Sequence, residues 1–401
     1  MESIPSSQTF KSSPSHPKHV VPLDFNNVPK LPDSHAWKTT LPIDDHQLID
    51  PFTEEPLPII DLAKPDVFNL VRHACEKWGV FQVTNHGIPV SFFYEIECQT
   101  RRLFSLPAER KLLAVRSPEG FTGYGLPRIS PFFPKLMWSE GFSIIGSPVE
   151  HASQLWPEDH SKFCEVMEQY QAKMKGLSEK IVATMLSSLG LTHEDVKWFE
   201  PKNGCDQTTC VLQLNSYPVC PDPGRAMGLA PHTDSSLLTL LYQGWVSGLQ
   251  VCRDGAGWVA VEPVEGALVV SVGDLMHIVS NGKFKPVLHR AVVNNTHHRV
   301  STAYFYGPPR EVKVSPLRKL IDHAHPPLYR PVTWKEYLEA KSKHFNKALE
   351  SIRLCLPLAG YSKLQGDNSQ MGYRCRINRG TTRMHKMGSS KFWLKTSTFC
   401  R

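Results

Sequence analysis

The stretch Leu237-Leu238-Thr239-Leu240-Leu241-Tyr242 decides the fold, because it opens a series of short apolar runs with no long helical pattern between them. The later runs are Leu249–Cys252, Trp258–Val261, Leu268–Val272, Met276–Val279, Val287–Val293 and Val300–Tyr306. Turn-forming pairs such as Asp254-Gly255 and Asn281-Gly282 separate them. Short strands at this spacing are typical of a β-sandwich or barrel, and the two-layer jelly roll is one such arrangement.

Helical patterns flank this β-rich region on both sides. Apolar residues from Phe163 to Leu189 recur every three or four positions, which predicts a long amphipathic helix with a buried face. Further helices are predicted at about 65–78, 92–104 and 334–354. We therefore expect an α+β protein with a double-stranded β-helix (jelly-roll) core and flanking helices.

Composition divides the chain into five segments. Residues 1–55 contain eight prolines and no apolar period, which predicts a flexible N-terminal arm. We expect a helical and mixed region at 56–200, the jelly-roll core at 201–310 and a C-terminal helical segment at 311–354. Residues 355–401 are basic and aperiodic, which predicts an unstructured tail, with a nucleic-acid-binding arm as the alternative.

The formal net charge of +7 does not indicate a nucleic-acid-binding body. Residues 361–401 hold nine of the basic residues and one acid, so the rest of the chain is close to neutral. No run approaches the roughly 20 apolar residues that a membrane span needs, and the N-terminus lacks the apolar core of a signal peptide. The ten cysteines form no C-x-x-C pair. We expect a cytoplasmic protein, with the nucleus as an additional location, and no obligate protein partner is evident.

A candidate metal site begins at His232-Thr233-Asp234. Residues two apart on a strand point to the same side, so His232 and Asp234 can face one metal ion. His289, on a later predicted strand, can complete the set. Two histidines and one carboxylate on one face of an octahedron leave three positions open, which is the arrangement that suits non-haem Fe(II) in oxygen chemistry.

A candidate anion-binding site begins at Arg299, ten residues after His289. Arg299 and Ser301 share one face of a predicted strand, and an arginine fork with a hydroxyl can bind a carboxylate; the alternative for Arg299 is a surface ion pair. Upstream, Asn215 and Tyr217 bring further polar groups to the same pocket.

Two other pairs compete with these candidates. His193 and Asp195 also have the H-x-D form, but Thr192-His193-Glu194-Asp195 follows Gly190 and predicts a capped helix start. Asp274 and His277 are a second possible metal pair. We expect them to be structural, because no carboxylate-binding pattern follows them at a matching distance.

The chain resembles the plant 2-oxoglutarate-dependent dioxygenases. The resemblance runs from about residue 57 to 354 and rests on His232-x-Asp234, His289, Arg299-x-Ser301, Asn215-x-Tyr217 and the block from Trp78 to Gly87. It implies that His232, Asp234 and His289 bind Fe(II). It also implies that Arg299, Ser301, Tyr217 and Asn215 bind 2-oxoglutarate, with Arg299 essential for catalysis, and that O2 is a substrate and ascorbate supports activity.

Within that family, the segments Gly123–Gly125, Arg128–Ser130 and Trp138–Phe142 are most similar to the gibberellin 3-beta-dioxygenase branch. This similarity implies 3-beta-hydroxylation of a small-molecule diterpenoid, with succinate and CO2 released. The alternatives are gibberellin 2- or 20-oxidation, flavonoid oxidation at the same iron centre, and a hormone-binding protein without turnover.

A substrate loop is predicted at 123–138. The substrate's carboxylate is expected to bind a cation or a cluster of hydrogen-bond donors, and Arg128 follows the glycine-rich Gly123-Tyr124-Gly125, whose backbone can approach a ligand closely. We expect Arg128 and Tyr124 to contact the substrate. The alternative is that Arg128 is solvated and the nearby aromatic residues only cover the sheet.

Overall fold

The computed structural model of the protein describes residues 23–25, 28–37, 56–117, 120–196, 208–253, 257–309 and 311–354. All of them fall within one compact unit, Met1–Leu354. The predicted tail at 355–401 and most of the predicted arm at 1–55 lie outside the described residues. No helix of the described part is both long and apolar enough to cross a membrane.

Two sheets form the centre of this unit. Their strands are β1 (Ile59–Asp61), β2 (Val80–Thr84), β3 (Gly123–Gly125), β4 (Glu140–Ile144), β5 (Thr208–Tyr217), β6 (Leu229–His232), β7 (Leu238–Tyr242), β8 (Leu249–Arg253), β9 (Gly257–Ala260), β10 (Leu268–Val272), β11 (His289–Ala291) and β12 (Arg299–Pro309). The large sheet has the order β1-β2-β10-β7-β12-β5-β4-β3, and the small sheet β6-β11-β8-β9. All pairings except β1–β2 are antiparallel. The α+β prediction with a jelly-roll core is confirmed.

The described helices are α1 (Val67–Lys77), α2 (Val90–Phe104), α3 (Ala108–Leu113), α4 (Val149–Leu155), α5 (Ser161–Ser188), α6 (His193–Val196), α7 (Asp274–Val279), α8 (Trp334–His344) and α9 (Ala348–Ser351). Of these, α1, α2 and α5 make the main helix contacts with strands of the large sheet. The predicted apolar stripe of α5 is buried, and Phe163, Tyr170 and Met174 are among its fully enclosed side chains. The main core joins this stripe to the outer face of the large sheet.

The inner face of the large sheet is turned toward the small sheet. Side chains along β5 alternate between the two faces of the sheet. Leu212 and Leu214 point to the outer face and belong to the core that includes the helices. Tyr217, of the opposite parity, packs with Ala291 on the small sheet. The other inner-face residues of β5, Gln213 and Asn215, are only half-buried. The space between the two sheets is therefore the place for a ligand pocket.

The prediction of a strand at Met276–Val279 was wrong. These residues belong to α7, which follows the extended Gly273 and has Asp274 in its first turn. A run of four apolar residues is compatible with a buried strand or a buried helix, and periodicity does not separate the two.

The predicted helix at 334–354 is interrupted. Thr333 and Glu336 form a capping box at the start of α8, but Phe345 adopts a φ of 46° and ends it. A short 3-10 turn and α9 follow. The aromatic ring of Phe345 stacks on Phe132 at a centroid distance of 4.5 Å, so the break places Phe345 against the loop that precedes β4.

Residues 28–37 pack against the core rather than projecting from it. Trp37 is 6% exposed and donates its indole N–H to the Leu136 carbonyl at 2.9 Å. Phe25 contacts Trp138 edge to face at 4.9 Å. The flexibility predicted for the arm therefore does not describe these residues.

Candidate metal centre and carboxylate pocket

Three side chains meet at one end of the small sheet. His232 ends β6, and His289 begins β11 directly opposite it in the antiparallel register. Asp234 lies two residues beyond β6. The Nε2 atoms of both histidines lie 3.7 Å from Asp234 Oδ1. Among the described residues, this is the group of His, Cys, Asp and Glu side chains compact enough to hold a metal ion.

In each of these three side chains, the polar atom that does not face the centre forms a hydrogen bond within the protein. Nδ1 of His232 is 2.8 Å from the Ala230 carbonyl, and Nδ1 of His289 is 3.1 Å from the Val287 carbonyl. A carbonyl can only accept, so both rings carry the proton on Nδ1 and leave the Nε2 lone pair for a metal. The Thr239 hydroxyl donates to Asp234 Oδ2 at 2.7 Å, which leaves Oδ1 facing the histidines.

The charges at this centre suit a divalent cation. Burial, with His289 beside it, lowers the pKa of His232 to about 3, so the ring is neutral at physiological pH. The pKa of Asp234 is lowered, because His289, His232, the Thr239 hydroxyl and Lys341 together outweigh the opposing effect of burial. Two imidazoles and one carboxylate are a donor set that fits Fe(II).

Helix α8 supports the loop between the metal-site residues. The Lys341 ammonium donates to the Thr233 carbonyl at 2.6 Å, to the Thr233 hydroxyl at 2.8 Å, and to the Asp274 carboxylate. Tyr337, one turn earlier, donates to the same carboxylate at 2.8 Å. The Asp274 amide also donates to the Asp234 carbonyl at 2.7 Å. Neither Lys341 nor Thr239 was predicted from the sequence, because neither belongs to a motif and both act through neighbouring residues.

The competing pair Asp274 and His277 has other partners. Asp274 is 1% exposed and binds Lys341 and Tyr337. His277 contacts the Phe284 carbonyl through Nδ1 at 2.6 Å and the Tyr329 hydroxyl through Nε2 at 2.9 Å. Both are structural, as the sequence analysis predicted. His193 and Asp195 lie in α6, where Thr192 donates to Asp195 at the helix start.

A carboxylate pocket lies on the inner face of the large sheet. Arg299 begins β12 and is paired in register with Tyr217, while Ser301 is paired with Asn215. The Arg299 guanidinium lies 4.9 Å from the Tyr217 ring centroid and donates Nε–H to the Val246 carbonyl at 3.1 Å. Asn215 donates to the Ser301 hydroxyl at 3.3 Å. Residues opposite in an antiparallel pair point the same way, so all four predicted residues share one face.

Arg299 is the unusual member of this pocket. It is 2% exposed, and burial lowers the pKa of its guanidinium. None of the described residues pairs it with a carboxylate. A buried guanidinium without a counter-ion costs several kcal/mol by order of magnitude, so an anionic ligand is the partner that this position requires.

The register row of Ser301 and Asn215 continues across β4 and β3 through Gly141 and Gly125. Polar groups fill the space in front of both glycines: a Cβ at Gly141 would lie 2.5 Å from the Gln213 amide nitrogen, and one at Gly125 would lie 3.1 Å from Arg116 Nη2. We call Ser301, Asn215, Gln213 and Arg116 the polar strip. It crosses the inner face from the carboxylate pocket to the outermost strand.

Tyr124 does not lie in this space. It alternates with the two glycines of β3 and points to the helical side, where its hydroxyl donates to the Glu140 carboxylate at 2.6 Å and the ring is 2% exposed. Lys111 completes a buried ion pair with Glu140 at 2.7 Å. The phenol is not open to a ligand, so we do not retain the predicted substrate contact for Tyr124. Arg128 is exposed, and its guanidinium donates to the Gly120 carbonyl at 2.6 Å.

Comparison with known proteins agrees with this geometry. Residues 208–308 match the family model of the 2OG-Fe(II) oxygenase superfamily, and residues 57–160 match the model described as non-haem dioxygenase in morphine synthesis N-terminal. Gibberellin 3-beta-dioxygenase 3 of Arabidopsis thaliana is 54% identical over 86% of this chain and 98% of its own length. Gibberellin 3-beta-dioxygenase 1 of Pisum sativum is 51% identical over 90% and 97%.

The chain belongs to the 2OG-Fe(II) oxygenase superfamily. The crystal structure of JOX2 in complex with 2OG, Fe and JA has a TM-score of 0.70 and 30% identity to this oxygenase, over 82% of this chain and 95% of that one. The rice dioxygenase for auxin oxidation has a TM-score of 0.61 and 28% identity, over 74% and 100%. The oxygenase uses Fe(II) and 2-oxoglutarate, and the predictions of both cofactors are confirmed.

Proposed function

We propose that this oxygenase catalyses the 3-beta-hydroxylation of gibberellin precursors. The observation that carries the proposal is the combination of a His-Asp-His centre and a buried arginine that has no carboxylate partner among the described residues. Relatives that share about half of its residues over nearly their whole length are gibberellin 3-beta-dioxygenases. The substrate is therefore a small, rigid and largely apolar diterpenoid.

In this proposal, Nε2 of His232, Nε2 of His289 and Oδ1 of Asp234 hold the iron. Bound iron supplies oxygen activation, coupled to the conversion of 2-oxoglutarate to succinate and CO2. Arg299 and Ser301 bind the distal carboxylate of 2-oxoglutarate, because the fork and the hydroxyl lie side by side on one face. The Tyr217 ring packs against the Arg299 guanidinium, and Asn215 orients the Ser301 hydroxyl by donating a hydrogen bond to it. Excluding water between the two sheets strengthens each of these contacts.

Product identification tests this function. The purified enzyme is incubated with Fe(II), 2-oxoglutarate, ascorbate and a panel of gibberellin precursors, with a flavonoid as a chemically distinct control. We expect hydroxylation at carbon 3 of the gibberellin ring system. Hydroxylation at carbon 2, oxidation at carbon 20, or turnover of the flavonoid alone would assign the enzyme to a sister reaction. Gibberellin binding without succinate formation would indicate a hormone-binding protein.

We also propose that the enzyme acts in the cytoplasm or nucleus, without an obligate protein partner. The six cysteines of the described part form no disulfide with one another, as expected in a reducing compartment. Microscopy of a fluorescent fusion in plant cells, with size-exclusion chromatography of the purified enzyme, tests both statements. Accumulation in an oxidising compartment would contradict the first.

A further inference from the structure

Two arginines bind backbone carbonyls on either side of β3, at the far end of the polar strip. Arg116 donates from Nη2 to the Leu126 carbonyl at 2.7 Å, and Arg128 donates from Nη2 to the Gly120 carbonyl at 2.6 Å. The Arg128 guanidinium also stacks over the Phe121 ring at 4.2 Å. Within the described part of the chain, neither arginine has a carboxylate partner.

Their electrostatic environment favours an anion. Burial lowers the pKa of Arg116. Burial and the neighbouring Arg116 lower the pKa of Arg128 to about 10. The half-buried Arg116 and the more exposed Arg128 repel each other, and the five N–H donors of each are only partly used by the two carbonyls. A carboxylate bound between them would relieve the repulsion and use these donors.

Their position relates them to the catalytic centre. Arg116 lies in front of Gly125, in the same register row and on the same sheet face as Ser301. Three interstrand spacings of about 4.8 Å separate these positions, or about 14 Å. A ligand that lies along this face between the sheets can therefore extend from beside the carboxylate pocket to the arginine pair. The same segment presents the exposed rings of Phe121 and Phe132, which suit an apolar ligand body.

We propose that Arg116 and Arg128 form the subsite that binds the carboxylate of the gibberellin substrate. The proposal rests on the proposed function and adds the device that orients the substrate. A carboxylate held at a fixed site on a rigid ring system presents one ring carbon to the metal, so the pair also contributes to the position of hydroxylation.

A comparison of an acid with its neutral ester tests the pair. Calorimetry under anaerobic conditions, on enzyme loaded with Mn(II) and 2-oxoglutarate, measures binding of a gibberellin precursor and of its methyl ester. We expect the wild type to prefer the acid by roughly 10- to 100-fold, the range of charge-assisted hydrogen bonds. The double variant Arg116→Gln/Arg128→Gln should bind acid and ester with equal affinity, and Arg128→Lys should retain part of the preference.

The controls separate this role from a folding role. Arg110 precedes Arg116 by six residues and its guanidinium also binds one backbone carbonyl, but that of Leu155 at 2.6 Å, so Arg110→Gln should keep the full preference for the acid. The affinity for 2-oxoglutarate should be unchanged in every variant, which verifies that the pocket is folded. A wild-type preference retained in the double variant would overturn the proposal. Equal binding of acid and ester by an active wild type would overturn it alone, whereas binding of neither compound would overturn the proposed function with it.

Discussion

Thr239 determines which oxygen of Asp234 faces the metal site. Its hydroxyl donates to Oδ2 at 2.7 Å, and Oδ1 is left 3.7 Å from both histidine Nε2 atoms. The carboxylate is thus oriented before a metal binds, in the way that hydrogen bonds from the outer shell orient ligands in other metalloproteins.

Thr239→Val should weaken metal binding while keeping the shape of the side chain. The valine removes the donor, so Asp234 can rotate and Oδ2 is left unsatisfied. We expect metal affinity to fall by roughly 10- to 100-fold, measured as Mn(II) binding by calorimetry. Thr239→Ser keeps the hydroxyl and should bind Mn(II) nearly as the wild type does. Equal losses in the two variants would show that packing, not the hydrogen bond, matters here.

Asp234→Ala removes the one charged ligand of the proposed iron site. We expect turnover to be abolished while the fold, followed by circular dichroism, is retained. His277→Ala is the contrasting variant, because His277 is bonded to Phe284 and Tyr329 instead of facing the centre. An active Asp234→Ala enzyme together with an inactive His277→Ala enzyme would reverse the ligand assignment.

Arg299→Lys keeps the charge and loses the planar fork. Losing a charge-assisted pair costs about 2–3 kcal/mol, so the KM for 2-oxoglutarate should rise by roughly 30- to 150-fold. The KM for the gibberellin should change little, because the substrate's carboxylate is bound elsewhere. Steady-state kinetics with each substrate varied in turn measures the difference. Similar increases for both substrates would argue against a role in binding 2-oxoglutarate.

At the scale of secondary structure, one face of α8 holds the metal-site loop. Trp334, Tyr337 and Lys341 are spaced by three and four residues, which places them on the same side of the helix. Trp334 donates to the Ser235 hydroxyl at 3.3 Å, and Lys341 binds Thr233 and Asp274. Helix α8 is therefore part of the scaffold of the metal centre, although it contributes no residue to the candidate ligand set.

Lys341→Met should destabilise the protein strongly. It leaves the buried Asp274 carboxylate without its cation, and breaking a buried pair in this way costs about 3–5 kcal/mol. Chemical denaturation measures the free energy of unfolding. Lys335→Met, on the exposed side of the same helix, should have little effect. In the double variant Lys341→Met/Asp274→Asn, the loss should be smaller than the sum of the two single losses; additive losses would show that the two side chains do not interact.

The sequence predicted elements whose pattern is long or whose chemistry is specific. Helix α5 is 28 residues long, so its apolar residues repeat often enough to make the helical period unambiguous. The sequence pattern of His232, Asp234 and His289 predicted three residues that the fold brings together at one centre. The pattern at Arg299 predicted a residue that lies on the inner face of the large sheet. Strands β3 and β4 were not predicted, because two glycines and a Glu-Gly pair hide the alternation of a strand. The contacts of Lys341 were also missed, since they join residues about 70 to 110 positions apart.

At the scale of the whole molecule, the site depends on both layers of the jelly roll. The small sheet carries both histidines, on β6 and β11, and the large sheet carries the carboxylate pocket on β5 and β12. A variant that loosens the packing between the sheets should therefore weaken metal and 2-oxoglutarate binding together, whereas variants at single site residues should affect one of them.

The basic tail is predicted to be dispensable for catalysis. Truncation after Pro357 removes nine basic residues and one acidic residue, none of which belongs to the described unit. We expect kcat and KM to stay within about twofold of the full-length values. The melting temperature should shift only by the small amount that changes at a protein surface cause. Insoluble or unfolded truncated protein would show that the tail contributes to the folded core.

The central claim is that the centre formed by His232, Asp234 and His289 couples 2-oxoglutarate consumption to gibberellin 3-beta-hydroxylation. Quantifying succinate and 3-beta-hydroxylated product in one reaction, for the wild type and for Asp234→Ala, tests it most directly. We expect the two products in equal amounts from the wild type and neither from Asp234→Ala. Succinate without hydroxylated gibberellin, a product hydroxylated at another carbon, or undiminished product from Asp234→Ala would contradict the account.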